Sequence, residues 1–371
     1  MRENVTTGKR PTPHDRLPAA LPEPLRYAPV RVNSSTSNLK PVPVRDALDP
    51  EQLAAEIVPQ NRPVVLRGLA AQWPAVREAG KSAKGLRDYL LRFDAKRPIR
   101  TLIADAAVRG RFFYRDDMRG FNFERREETI QDALDRLIGQ LESDGAPATY
   151  VESTPIAEHL PGFSQENPLA LLPATVAPRI WIGNAVTAQT HFDLKENIAC
   201  VVAGRRRFTL FPPDQLPNLY VGPFDFTISG PPVSMVSLYN PDFDRYPKFK
   251  EALEQAQTAE LGPGDAIYIP YMWWHHVESL ERFNVLVNYW WNAARTLGGS
   301  PFDCLLHGVL ALRDLPPAQR DAWRMVFDHY LFQRNGDPMA HLAAENRGML
   351  GAMTPARARE IKALLVRILS K

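Results

Sequence analysis

A chain of 371 residues with 45 basic and 42 acidic side chains carries a net charge of only +3, too balanced for the electrostatic footprint of a nucleic-acid binder. Hydrophobic residues make up 44% and charged residues 23%, an ordinary globular composition, and no apolar run approaches the roughly 18 residues of a membrane helix. The opening MRENVTTGKRPTPHDR lacks a secretory apolar stretch, and Cys200 and Cys304 make no disulfide framework, so a cytoplasmic protein with reduced thiols is expected.

Residues 1–43 hold eight prolines and no sustained periodicity, which predicts a loosely ordered arm. Asp49-Pro50 looks like an N-cap with proline at the first helical position, opening a helix to about Ile57. RPVVLRG (62–68) reads as a short strand, followed by helical patterns to about Leu91. PIRTLIAD, RFFYRD and FNFER within 98–125 read as strands, and ETIQDALDRLIGQL (128–141) as a helix. From Thr149 to Trp291 short strands dominate: TYVES, RIWIG, THFD, IACVV, RFTLF, AIYIP, HHVES and NVLVNYW. Strands at such close intervals predict a sandwich or barrel rather than alternating β/α units. Beyond about residue 300 the spacing turns amphipathic and helical. The expected fold is mainly β with flanking helices, divided as an arm (1–43), a β-rich domain (44–295) and a helical region (296–371).

Within the β-rich part, THFD offers His191 and Asp193. Residues i and i+2 of a strand share a side, so one imidazole and one carboxylate can reach one point while Phe192 faces away. A second histidine would complete a facial triad that leaves three positions open on an octahedral metal. GPGDAIYIPYMWWHHV (262–277) supplies it: a tight turn, a buried strand, bulky aromatics and the pair His275-His276. Adjacent strand residues point oppositely, so at most one of the pair faces the metal; the residues alone leave the choice open. Trp273, Trp274, Trp290 and Trp291 read mostly as core.

The ordered set THFDLKEN, LFPPDQLPNLY, NPDFDRYPKF, GPGDAIYIPYMWWHHVESL and VNYW resembles the cupin-like branch of the jumonji-C iron(II)/2-oxoglutarate oxygenases, and within it the asparaginyl hydroxylases. The resemblance covers roughly residues 60–295 and is strongest over 180–291. It implies a double-stranded β-helix (jelly-roll, cupin) core. It makes His275 the ligand, with His191 and Asp193, and turns His276 to the other side. It implies Fe(II), 2-oxoglutarate as cosubstrate and O2, with hydroxylation of a C–H bond as the outcome.

Where close relatives hold a lysine for the distal carboxylate of 2-oxoglutarate, this chain has Arg206. Strand parity puts Arg206 on the side of Phe208 and Leu210, with Arg205 and Arg207 opposite. A guanidinium can grip a carboxylate bidentately. The resemblance also carries Asn197, Asn288 and Tyr150 into the cosubstrate pocket. A threonine of the family, three residues before the first ligand, is replaced by Ala188, with Thr187 or Thr190 as stand-ins. The expected substrate is a protein or peptide side chain or a small molecule, with no nucleic acid and no membrane. The helices after the barrel, with Leu305, Leu306, Val309, Leu310 and Leu312, imply a homodimer. A non-oxygenase metal cupin, acting as isomerase or sensor, and a non-catalytic interaction protein are the rival readings.

Overall fold

The computed structural model describes residues 39–46, 48–292 and 297–370. The chain forms two compact units, Met1–Trp291 and Asn292–Lys371. Most of the predicted arm lies outside the described residues.

The strands of the first unit, in chain order, are β1 (Lys40–Pro41), β2 (Val44–Arg45), β3 (Val64–Leu66), β4 (Ile99–Ala104), β5 (Glu124–Glu128), β6 (Ala148–Pro155), β7 (Pro178–Gly183), β8 (Thr187–His191), β9 (Glu196–Ala203), β10 (Arg206–Phe211), β11 (Gln257–Leu261), β12 (Ala266–Ile269), β13 (Trp274–Ser279) and β14 (Asn284–Trp291). They make two sheets. The smaller has the order β1-β11-β10-β13-β8, the larger β2-β3-β12-β9-β14-β7-β6-β4-β5. Val201, Phe208, Leu210, Ile267, Val277 and Leu286 from both sheets bury one apolar layer, which is how two sheets each hydrophobic on one face become stable. These sheets and the flanking helices form the expected mainly β, jelly-roll architecture.

A second apolar layer, with Leu86, Leu90, Leu134 and Leu137 from helices Ala83–Leu91 and Ile130–Gly139, covers the opposite face of the larger sheet. The second of these helices starts at a capping box formed by Thr129 and Asp132. The outer face of the smaller sheet is covered by the 211–256 stretch, where Phe211, Leu219, Phe249 and Trp274 pack together.

Several elements differ from expectation. Asp49 caps the predicted helix as foreseen, but only Pro50–Gln52 is α-helical before the chain changes pitch. RFFYRD makes only isolated bridges: Asn122 donates to the Arg111 carbonyl and accepts from the Phe113 amide, replacing a ladder by side-chain bonds. The end of the predicted arm is stitched into the smaller sheet as β1 on β11, the residues just after it join the larger sheet as β2 on β3, and Val42 is buried between them. Strand β11 and helix Phe249–Gln255 went unforeseen.

The second unit contains helices Pro301–Leu312, Pro317–Tyr330 and Pro355–Leu369. Among their described residues only Ala358 is buried. No helix among the described residues is long and apolar enough to cross a membrane.

A candidate metal centre

Strand pairing builds the site. β13 runs antiparallel to β8 with His275 directly opposite His191, and the two rings stand 4.3 Å apart between centroids. Parity then sorts their neighbours. Val277 shares the inner face with His275, whereas Trp274 and Phe192 pack on the outer face. Asp193 continues the inner side just beyond β8. Ligand atoms of His191, Asp193 and His275 all lie within 4.8 Å of one another, with His275 Nε2 at 3.6 Å from Asp193 Oδ2.

The hydrogen bonds around the triad prepare it for a cation. His191 Nδ1 lies 2.7 Å from the Gln189 carbonyl and His275 Nδ1 lies 3.0 Å from the Trp273 carbonyl. A carbonyl only accepts, so each Nδ1 carries the proton and each Nε2 presents its lone pair. Burial, helped by the neighbouring His191, pushes His275 down to about 4, so the imidazole is neutral at physiological pH. The Trp290 indole N–H donates to Asp193 Oδ2 at 3.1 Å and orients the carboxylate. Gln189 is anchored in turn: its amide donates to the Ser234 and Val236 carbonyls, and its oxygen accepts from Arg111.

His276 takes no part in the triad. It is buried on the outer face, beside Thr190, whose hydroxyl lies 3.2 Å from its Nδ1. Burial pushes its ring down to about 3, with Arg111 acting in the same direction. Thr190 is therefore misplaced for the cosubstrate role expected of it: its side of β8 is the side of His276. Thr187 and Ala188, by contrast, border the cavity that contains His191 and Asp193, a space of about 950 Å³.

The other expected pocket residues fall into two groups. Tyr150 lines the cavity, and its ring stacks on Trp181 with centroids 5.9 Å apart. Its hydroxyl meets the guanidinium of Arg206; burial pushes that hydroxyl up to about 12, and Arg206 pulls it back. Arg206 is only 3% exposed, and its Nε and Nη2 have no hydrogen-bond partner. Its neighbours face out: Arg205 pairs with Glu260 and Glu281, and Arg207 with Glu260 and Glu278. The turn that sets this parity contains Gly204 at φ +73°, where a Cβ would sit 2.2 Å from Asn284 Oδ1. Asn197 and Asn288 form the second group. Asn288 donates to Asn197 Oδ1 at 3.1 Å and accepts from the Trp181 indole at 2.7 Å, so together they hold a wall of the cavity.

An unpaired buried cation is costly unless an anion joins it. The orphaned N–H groups of Arg206 thus fit a carboxylate such as the distal one of 2-oxoglutarate, and two imidazole nitrogens with one carboxylate fit a divalent metal such as iron. Trp290 and Gln189 were missed in the sequence, where Trp290 reads as core; only contacts across distant strands reveal them.

The family model described as a cupin-like domain matches residues 50–296, more than half of the chain. The chain belongs to the cupin-like family. Its relatives in that jumonji-C-type group include lysine-specific demethylase JMJ31 of Arabidopsis thaliana, 39% identical over 30% of this chain and 20% of that protein. HSPB1-associated protein 1 of Homo sapiens is 36% identical over 30% of the chain and 22% of its own length. The matches thus span about a fifth of these two relatives. A broader match, 27% identical over 68% of this chain and 78% of the relative, is tRNA wybutosine-synthesizing protein 5 of Mus musculus. This cupin-like protein therefore combines oxygenase-type relatives with a His-Asp-His triad suited to a metal.

Proposed function

We propose that the protein is an iron(II)- and 2-oxoglutarate-dependent dioxygenase that hydroxylates a C–H bond of a protein or peptide side chain. The observation that carries this reading is one cavity lined by His191 and Asp193 of the triad and by Tyr150, whose hydroxyl meets Arg206: a metal site beside an anion site. His191, Asp193 and His275 would hold the iron through two imidazole nitrogens and one carboxylate oxygen. Arg206 and the Tyr150 hydroxyl would bind the distal carboxylate of 2-oxoglutarate. Bound there, iron and 2-oxoglutarate would supply oxidising power from dioxygen, the cosubstrate being converted to succinate and carbon dioxide. The chain's own work is orientation and exclusion of water: Trp290 fixes the Asp193 carboxylate, while Trp181 and Tyr150 wall the space.

A protein substrate accords with the names of two relatives, both called lysine-specific demethylases. The broad match to a tRNA-modifying protein makes RNA the rival class; the nearly balanced charge of this chain weighs against it. The test is anaerobic titration of 2-oxoglutarate into the iron(II)-loaded protein, followed by succinate release in air with candidate substrates. A visible charge-transfer band is expected. A protein that binds iron but gives no band would refute cosubstrate use and leave a metal cupin of another kind.

The reading extends to assembly. Leu305, Leu306 and Leu310 are exposed, Leu310 at 80%, as are Trp323, Val326, Tyr330, Leu365 and Val366 on the other helices. So much apolar surface on a unit of that size needs a cover, and we infer a second copy of the chain, in a symmetric homodimer. Sedimentation at micromolar concentration should give a dimer; a monomer would refute it.

A further inference from the structure

One buried carboxylate near the site has no role in the chemistry proposed above. Glu196, at the start of β9, is only 8% exposed. A single oxygen, Oε2, accepts both the Tyr268 hydroxyl at 2.6 Å and the Tyr271 backbone N–H at 3.1 Å. Tyr268 is the second-last residue of β12, just before the Pro270–Trp273 turn, and that turn delivers His275. Glu196 follows Asp193 by three residues.

The same turn is tied to the other ligands a second time. The Met272 N–H donates to the Asp193 carbonyl at 3.1 Å. Met272 adopts φ +62°, a left-handed conformation that a methionine holds only when its surroundings impose it. Two backbone N–H groups in succession, Tyr271 and Met272, are thus spent on the segment carrying His191 and Asp193. Both histidines also donate their Nδ1–H to carbonyls inside these same segments, Gln189 and Trp273. The separation of the two halves of the triad is therefore set where they are cross-tied.

We propose that Glu196 is a positioning residue for the metal centre: its carboxylate clamps the turn carrying His275 onto the segment carrying His191 and Asp193, fixing the ligand spacing before a metal arrives. The inference rests on the reading of those three residues as a metal site. It makes Glu196 a residue that metal affinity depends on without touching the metal. Because both donors converge on one oxygen, a neutral amide oxygen in the same place can satisfy them, whereas the carboxylate of an aspartate, one methylene shorter, cannot reach that place.

The test uses cobalt(II) as a spectroscopic probe on the full chain freed of metal. Glu196→Gln should bind cobalt within about threefold of the unaltered protein and with the same visible ligand-field spectrum. Glu196→Asp and Glu196→Ala should lose about tenfold to a hundredfold in affinity, the range for groups that orient ligands, with a shifted spectrum. Thermal unfolding of the metal-free proteins separates this from general loosening: Leu134→Ala, a core change on helix Ile130–Gly139, should lower the midpoint without changing the cobalt spectrum. If Glu196→Ala does not fold, Glu196→Asp decides. A folded Glu196→Asp with unaltered affinity and spectrum would overturn the clamp. Failure of the unaltered protein to bind cobalt, or binding that survives His275→Ala, would instead overturn the metal site itself.

Discussion

Replacing Arg206 by methionine should push two measurements in opposite directions. The side chain is buried, its Nε and Nη2 lack partners, and burial lowers its pKa against the pull of Tyr150. In the ligand-free protein it is a desolvated charge short of an anion. An apolar side chain of similar length removes that burden, and comparable replacements of buried ions are neutral or stabilising by about 1–4 kcal/mol. Against this stands the hydrogen bond lost by the Tyr150 hydroxyl, about 1 kcal/mol. The balance runs from a loss of about 1 kcal/mol to a gain of about 3 kcal/mol, the gain being a rise of up to about 10 °C in the unfolding midpoint at the 2–4 °C per kcal/mol of larger domains. Affinity for 2-oxoglutarate should fall. Two charge-assisted hydrogen bonds at about 1.5–3 kcal/mol each predict a loss of about two to four orders of magnitude. Differential scanning fluorimetry without ligands and the anaerobic charge-transfer titration measure the two effects. A variant that melts several degrees lower and binds 2-oxoglutarate as before would refute the reasoning, because Arg206 would then be a paired structural residue.

Three further outcomes are expected. His275→Ala should abolish iron binding, whereas His276→Ala should retain it and lose only stability, about 2 kcal/mol or more for a buried side chain; equal loss of iron in both, measured by competition with a chromophoric chelator, would contradict the face assignment. Trp290→Phe removes the N–H donated to Asp193 and should weaken metal binding about tenfold, while leaving the aromatic wall; unchanged affinity would reduce Trp290 to packing. Adding iron(II) to the metal-free protein at about a hundred times its dissociation constant should add about 2.7 kcal/mol of stability, visible as a higher midpoint that His191→Ala eliminates.

The site was legible where chemistry is local. HFD at the end of β8 and the aromatic run into His275-His276 are recognisable because a period of two fixes which neighbours share a side. The same parity brings Arg206 inward with Phe208 and Leu210, between outward arginines that find glutamates on the adjacent strands. Thr190 obeys the same parity: one residue before His191, it faces outward with His276, away from the role expected of it. RFFYRD has strand composition, yet its Phe112 and Tyr114 are drawn into a local aromatic cluster and Asn122 takes up its backbone groups. Helix Phe249–Gln255 and β11 had no strong periodic signal because both are short and lean on surroundings supplied by distant strands.

By itself, then, the sequence determined the mainly β class, His191 and Asp193 as ligand candidates and an inward arginine, because residue type and alternation are properties of a single strand; the choice of His275 over His276 came from the family resemblance. Only the tertiary structure decided what those residues face. The bond from Trp290 to Asp193 spans 97 positions, that from Tyr268 to Glu196 spans 72, and that from Asn288 to Asn197 spans 91. Such contacts depend on which strands become neighbours when two sheets close over one apolar layer. Sheet order is set by the packing of the whole chain, and no local pattern encodes it.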